Sequence, residues 1–192
     1  MTTKIAALMA AAVFAATGSN SAKAQTAEEA AIFMVFGLRD KDTAKDANGE
    51  MRVTKVADTP LTLGFTYIPS TAGATGGTTQ VAVTQQDPCR YMFEAKSLDG
   101  KADEKPVKLA VDFTYAQDAT LSGFSGVAFA GTTMTCLEPG GRCAILNQDL
   151  KAGRFEGRIG PFDKDKLKNL PKHQADLDAT LTAFKETTCK PG

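Results

Sequence analysis

Between Met51 and Tyr115 the apolar residues recur with a period of two, and this most constrains what the chain can become. Met51–Val56 and Leu61–Ile68 read as strands separated by Asp58-Thr59-Pro60. Gln80–Gln85 and Cys89–Ser97 read the same way around Asp87-Pro88. Val107–Tyr115 alternates most regularly, with Val107, Leu109, Val111, Phe113 and Tyr115 on one side. Strict alternation bounded by turn residues is the mark of half-buried strands. Residues 69–79, rich in Gly, Ser and Thr, form a predicted loop, and Leu98–Pro106 a charged connection. Phe124–Thr135 and Arg142–Leu146 extend the pattern on either side of a Pro-Gly-Gly turn, and Arg154–Ile159 is a further predicted strand.

Helical signals stand at both ends of this region. Thr26-Ala27-Glu28-Glu29 is a capping box, with Thr26 as N-cap and Glu29 at the third helical position. The helix it opens is expected to run to about Leu38 or Asp40. Its segment Ala30–Leu38 is apolar nearly all round, which requires burial on several sides. Near the C-terminus Asp163 reads as an N-cap before Lys164–Leu170, and Pro171 is expected to interrupt or kink the helix. Beyond it Leu177, Leu181 and Phe184 fall at i, i+4 and i+7, one stripe of an amphipathic helix. The resulting fold class is α+β: a curved antiparallel sheet of about six to eight strands packed by an N-terminal and a C-terminal helix. A closed β-barrel with flanking helices is the alternative.

Residues 1–24 read as a signal peptide. Lys4 supplies the positive start, Ile5–Ala16 is an unbroken apolar run, and Ala22-Lys23-Ala24 is a small-x-small cleavage site before Gln25. The run is short of the roughly 20 residues needed to span a bilayer, and no later segment supplies a transmembrane helix. Residues 25–192 are then a single α+β domain. Cleavage removes Lys4 and Lys23 and no acid, leaving 20 basic against 22 acidic residues. That balance gives no electrostatic footprint for nucleic acid.

An exported chain with four cysteines is expected to form two disulfides. Cys136 and Cys143 flank Pro139-Gly140-Gly141, so a hairpin would set them opposite each other. That leaves Cys89 with Cys189, a bridge tying the C-terminal tail to a strand. The spacings contain no CxxC, so neither a zinc site nor a redox pair is expected.

The chemistry-bearing candidates are few. His173 is the single histidine, and its polar neighbours at a helix start suit an exposed position. Gly123-Phe-Ser-Gly126 has the wrong spacing for a nucleophile elbow and reads as a turn or bulge. The acidic loop Asp40–Glu50 resembles a calcium loop only in its middle; placing Gly49 at position 6 puts Ala44 and Lys55 where carboxylates are required. Gly73, Gly76 and Gly77 lack the lysine of a phosphate-binding loop. No catalytic residue, metal site or cofactor is assigned. Two readings follow. The first is an exported periplasmic or cell-envelope protein, a non-catalytic binding or interaction module for a protein or a small apolar ligand. The alternative is an exported hydrolase that uses Asp and Glu carboxylates, with or without His173.

Overall fold

A computed structural model describes residues 25–45, 47–99, 105–122, 126–137 and 170–190. The capping box forms as read. The Thr26 hydroxyl accepts the Glu29 N–H at 3.1 Å, and the Glu29 carboxylate accepts the Thr26 N–H at 3.1 Å. These contacts start helix α1, Ala27–Phe36. The helix stops earlier than expected, because Gly37 adopts a left-handed φ of 68° and its N–H closes on the Phe33 carbonyl at 2.7 Å. Glycine takes that conformation without the steric cost a Cβ would bring. Ala30 through Phe36 are all buried, as an all-round apolar helix requires.

The strands are β1 (Thr43–Lys45), β2 (Gly49–Asp58), β3 (Leu61–Pro69), β4 (Gly77–Asp87), β5 (Arg90–Ser97), β6 (Val107–Asp112), β7 (Asp118–Ser122), β8 (Gly126–Ala130) and β9 (Thr133–Cys136). Strands β1 to β6 form an antiparallel meander, and β9 adds beside β6 to make a seven-stranded sheet. Strands β7 and β8 form a separate hairpin. Among the described residues β1 and β9 lie at opposite edges and do not pair, so the sheet is open and the barrel alternative is set aside. The expected strand Phe124–Thr135 is two strands. Gly131, at φ 76°, turns the chain between them against the Tyr115 carbonyl, where an added Cβ would lie 1.8 Å from the oxygen. Sequence reading assigned no strand to β7.

Register puts one row of side chains on a common face. Val53 lies opposite Phe65, Leu63 opposite Val81, Val83 opposite Phe93, Phe93 opposite Leu109, and Val111 opposite Met134. All are buried. Phe36 of α1 meets this face, with ring centroids 5.5 Å from Phe65 and 6.0 Å from Phe93. Tyr115 departs from the expected stripe. Strand β6 ends at Asp112, and the following turn leaves Phe113 buried but Tyr115 77% exposed.

Helix α2, Leu170–Thr187, runs through Pro171. Pro171 sits in the first turn of this helix, where a backbone N–H has no intrahelical partner to lose; residues 164–169, the segment expected before it, lie outside the described residues. Leu177, Leu181 and Phe184 are buried, and Phe184 stacks near Tyr91 and Phe113 at 5.7 and 5.5 Å. Gln174 ties α2 to the hairpin like a strand: its amide donates to the Ala119 carbonyl and accepts the Leu121 N–H, both at 2.9 Å. The proposed cap Asp163 and the strands Arg142–Leu146 and Arg154–Ile159 lie outside the described residues.

The expected Cys89–Cys189 bridge forms, with a Cα–Cα distance of 4.6 Å and a sequence separation of 100. It fixes the end of α2 to the start of β5. Removing it with the Cys89→Ser/Cys189→Ser double variant is expected to cost about 2–5 kcal/mol, given the long loop released; urea unfolding under oxidising conditions measures this.

Strands β5 and β6 are also clamped by Arg90 and Asp112, which are directly opposite and joined at 2.9 Å. Burial pushes the Asp112 carboxyl upward, but hydrogen bonds from Thr114 and Arg90 outweigh it and hold the group below its ordinary value. A depressed carboxyl stabilises the fold above its unfolded value, about 3.9, and loses that contribution as pH falls through its folded value. Asp112→Asn should therefore cost about 1 kcal/mol at neutral pH. The gap to the parent protein should close in acid, a trend read from unfolding curves across the range.

Candidate ligand cleft at the start of helix α1

The alternation of β2 contains one break in its chemistry. Met51 and Val53 face the core, and the next inward position is Lys55, directly opposite the buried Leu63. A bulge follows at once, shifting the register between Lys55 and Ala57. The sheet's inner face thus ends in a cation. Its ammonium lies 2.9 Å from Glu29 of α1 and 3.2 Å from Asp58 at the end of β2. The backbone N–H of Lys55 donates to Asp40 at 2.7 Å. Hydrogen bonds from Lys55 to Glu29 and then Asp58 raise its pKa, keeping it an ammonium rather than a free amine.

Two clefts meet at this ion pair. One, about 620 Å³, is lined by Gln25, Glu29, Ile32, Arg39, Asp40, Lys41, Lys55, Asp58 and Leu63. The other, about 610 Å³, lies towards the β2–β3 turn and β4, with Thr26, Pro60, Leu61, Val83 and Gln85 in its walls. Glu29, Lys55 and Asp58 belong to both. Each volume suits a small organic ligand.

The rim of the first cleft is built by the turn after α1. The Arg39 N–H donates to the Asp42 carboxylate at 2.7 Å, and the Asp42 N–H returns to the Arg39 carbonyl at 3.0 Å. Lys41, inside that turn, has a φ of 69°. The left-handed region costs a residue with a Cβ roughly 1–2 kcal/mol. The turn is held to β2 because the Lys41 N–H donates to the Val53 carbonyl and the Val53 N–H to the Asp42 carbonyl, both at 2.9 Å. The Arg39 guanidinium carbon lies 3.7 Å from the centre of the Phe33 ring, and the side chain reaches α2 through Asp176 at 3.4 Å and the Thr180 hydroxyl at 3.1 Å. The rim is thus fastened to both helices.

Of the residues singled out from sequence, Asp40 lines the first cleft, and the cysteines, His173 and the glycines lie elsewhere. Cys89 and Cys189 are joined on the far side of the sheet order from β2. Cys136, on β9, is also held in a disulfide. Cys143, the partner expected for it, lies outside the described residues. His173 is half-buried in the first turn of α2 and lines neither cleft. Of the calcium-like loop, Asp40 and Asp42 are engaged with backbone N–H groups. Among the described residues no group of three His, Cys, Asp or Glu side chains is placed to hold a metal. Gly77 begins β4, and Gly76 packs where a Cβ would meet the Tyr67 carbonyl at 2.5 Å. Residues 123–125 of the Gly-Phe-Ser-Gly segment lie outside the described residues, and Gly126 opens β8.

Sequence reasoning did not select Lys55, Arg39 or Lys41. One signal was present: Lys55 occupies an inward position in an otherwise apolar alternation. Its partner Glu29 was read only as a capping residue, and it performs both tasks.

No family model matches the chain, and no curated protein or solved structure matches it. The functional reading therefore rests on the geometry of this site.

Replacing Lys55 by Met would leave the Glu29 and Asp58 carboxylates facing each other without their shared cation. Lower stability at neutral pH is the expected outcome. A base whose pKa is raised by folding stabilises the fold below its unfolded value and loses that effect as pH rises through its folded value. The parent protein and Lys55→Met should accordingly converge in strong alkali, which unfolding followed by circular dichroism would reveal.

Proposed function

We propose that this chain is an exported, non-catalytic binding module for a small organic molecule, and that the cleft around Lys55 is its ligand site. The single observation behind this reading is the pre-built cleft of about 620 Å³, backed by the core residues Ile32 and Leu63 and rimmed by charged side chains. Apolar walls with a few positioned polar groups are the general form of small-molecule sites. Lys55 is kept as an ammonium by two carboxylates, which suits recognition better than nucleophilic catalysis. Glu29 and Asp40 are likewise committed to hydrogen bonds within the fold.

Export is supported by the signal-like residues 1–24 and by the Cys89–Cys189 disulfide, a bond that persists in oxidising compartments. Among the described residues no helix is long and apolar enough to cross a membrane. A second bridge between Cys136 and Cys143 belongs to the same proposal.

The test is an NMR screen of the oxidised chain starting at Gln25 against a library of small organic molecules. Ligands should shift the amides of Glu29, Arg39, Lys41, Lys55 and Asp58 together. Hits that cluster elsewhere would move the site. Turnover of an ester, glycoside or peptide substrate, abolished by one Asp or Glu substitution, would replace the binding reading with the hydrolase.

A further inference from the structure

The charges around the first cleft are not equally engaged. Of its acids, Glu29 binds both the Thr26 N–H and the Lys55 ammonium, and Asp40 accepts the Lys55 backbone N–H. Asp58 touches Lys55 from an 83% exposed position at the β2–β3 turn. Of its cations, Arg39 is held against Phe33, Asp176 and Thr180. Lys55 has three ammonium protons and two carboxylate partners. The Lys41 ammonium makes no ion pair among the described residues, and it is exposed on the cleft rim.

Lys41 is also the residue with the least local reason to be lysine. Its φ of 69° suits Gly or Asn, and the turn's own hydrogen bonds use only its backbone. Strained backbone at a cleft rim is a recognised companion of function. Here the strain carries a free cation to the edge of a cavity that already holds a second cation.

On the reading that this cleft is a ligand site, we infer that its ligand is an organic anion with an apolar body, of the alkyl or aryl carboxylate class. Its charged end lies between Lys41 and Lys55, and its body lies against Ile32, Leu63 and the methylene stems of the lysines. The exposed Asp58 carboxylate, 3.2 Å from the Lys55 ammonium, holds the place that the ligand's own carboxylate takes on binding. The exchange replaces one charge-assisted hydrogen bond with another, so the ammonium never loses a partner.

Isothermal titration of the oxidised chain starting at Gln25 tests this with four probes: octanoate, octan-1-ol, octylamine and inorganic phosphate. Octanoate should bind tightest. Lys41→Asn should weaken octanoate by about tenfold, the scale of one charge-assisted hydrogen bond. Its melting temperature should not fall, because Asn tolerates the left-handed region better than Lys. Lys41→Arg should retain binding. Asp58→Asn should tighten octanoate, since the competing carboxylate is gone. Octan-1-ol or octylamine binding as well as octanoate would overturn the anion assignment and leave the binding-module reading intact. Phosphate binding as well as octanoate would overturn the requirement for an apolar body. No binding of any probe up to about 1 mM, a limit of roughly 4 kcal/mol of affinity, would overturn the carboxylate assignment. The library screen then decides separately whether the cleft is a ligand site. An unchanged octanoate affinity in Lys41→Asn would remove Lys41 from the site.

Discussion

Burial of α1 on every side is the constraint from which the rest of the architecture follows. Ala30 through Phe36 present no polar face to water, so the helix must be enclosed rather than laid on a surface. A single sheet face covers only one side. The antiparallel sheet supplies that side through Phe65 and Phe93, while α2 and the β7–β8 hairpin approach α1 from the others. Large side chains such as Ile32, Phe33 and Met34 each contribute roughly 1.5–3 kcal/mol when fully buried. The aromatic contacts among Tyr91, Phe113, Phe129 and Phe184 continue the core beneath α2.

Enclosing a helix leaves its two ends as the places where the core opens. At the C-terminal end the chain turns at Gly37, and Arg39 covers Phe33, bonds to α2 and forms part of the rim of the first cleft. At the N-terminal end the first turn meets the last inward position of β2. A hydrophobic residue there would have continued the core. Lys55 instead meets Glu29 and Asp58, and the wall parts into two clefts about this ion pair. The same Glu29 that begins the helix also holds the cation at the mouth of the cleft, so helix capping and site geometry share one carboxylate.

Much of the fold was legible because its signals are local. Alternation in β2, β3, β5 and β6 marks strands wherever one face is buried, and the capping box and the Leu177–Leu181–Phe184 stripe mark the helices. The errors have local physical causes too. Gly37 ends α1 through a left-handed cap that an apolar continuation through Leu38 concealed. Strand β7, Asp118–Ser122, was missed because its short segment has one apolar stripe of only Ala119 and Leu121, and its partners are β8 and the Gln174 side chain, which lies more than fifty residues away. The cleft was largely illegible for the same reason. Lys55 showed only its inward place in an apolar alternation and Glu29 only its capping role, and it is the tertiary structure that brings them to one cleft with Lys41.

The sequence by itself determined the class of the fold, the starts of its helices, the faces of most strands and the cysteines available for bridging. Each of these depends on residue type and on spacing within one segment, where periodicity and capping act. Tertiary structure alone decided that the sheet stays open, that β9 crosses back to pair with β6, and that Lys55 stands between Glu29 and Asp58 at the edge of a cleft. These depend on which distant segments come together, and that choice is made by the need to bury α1 as a whole.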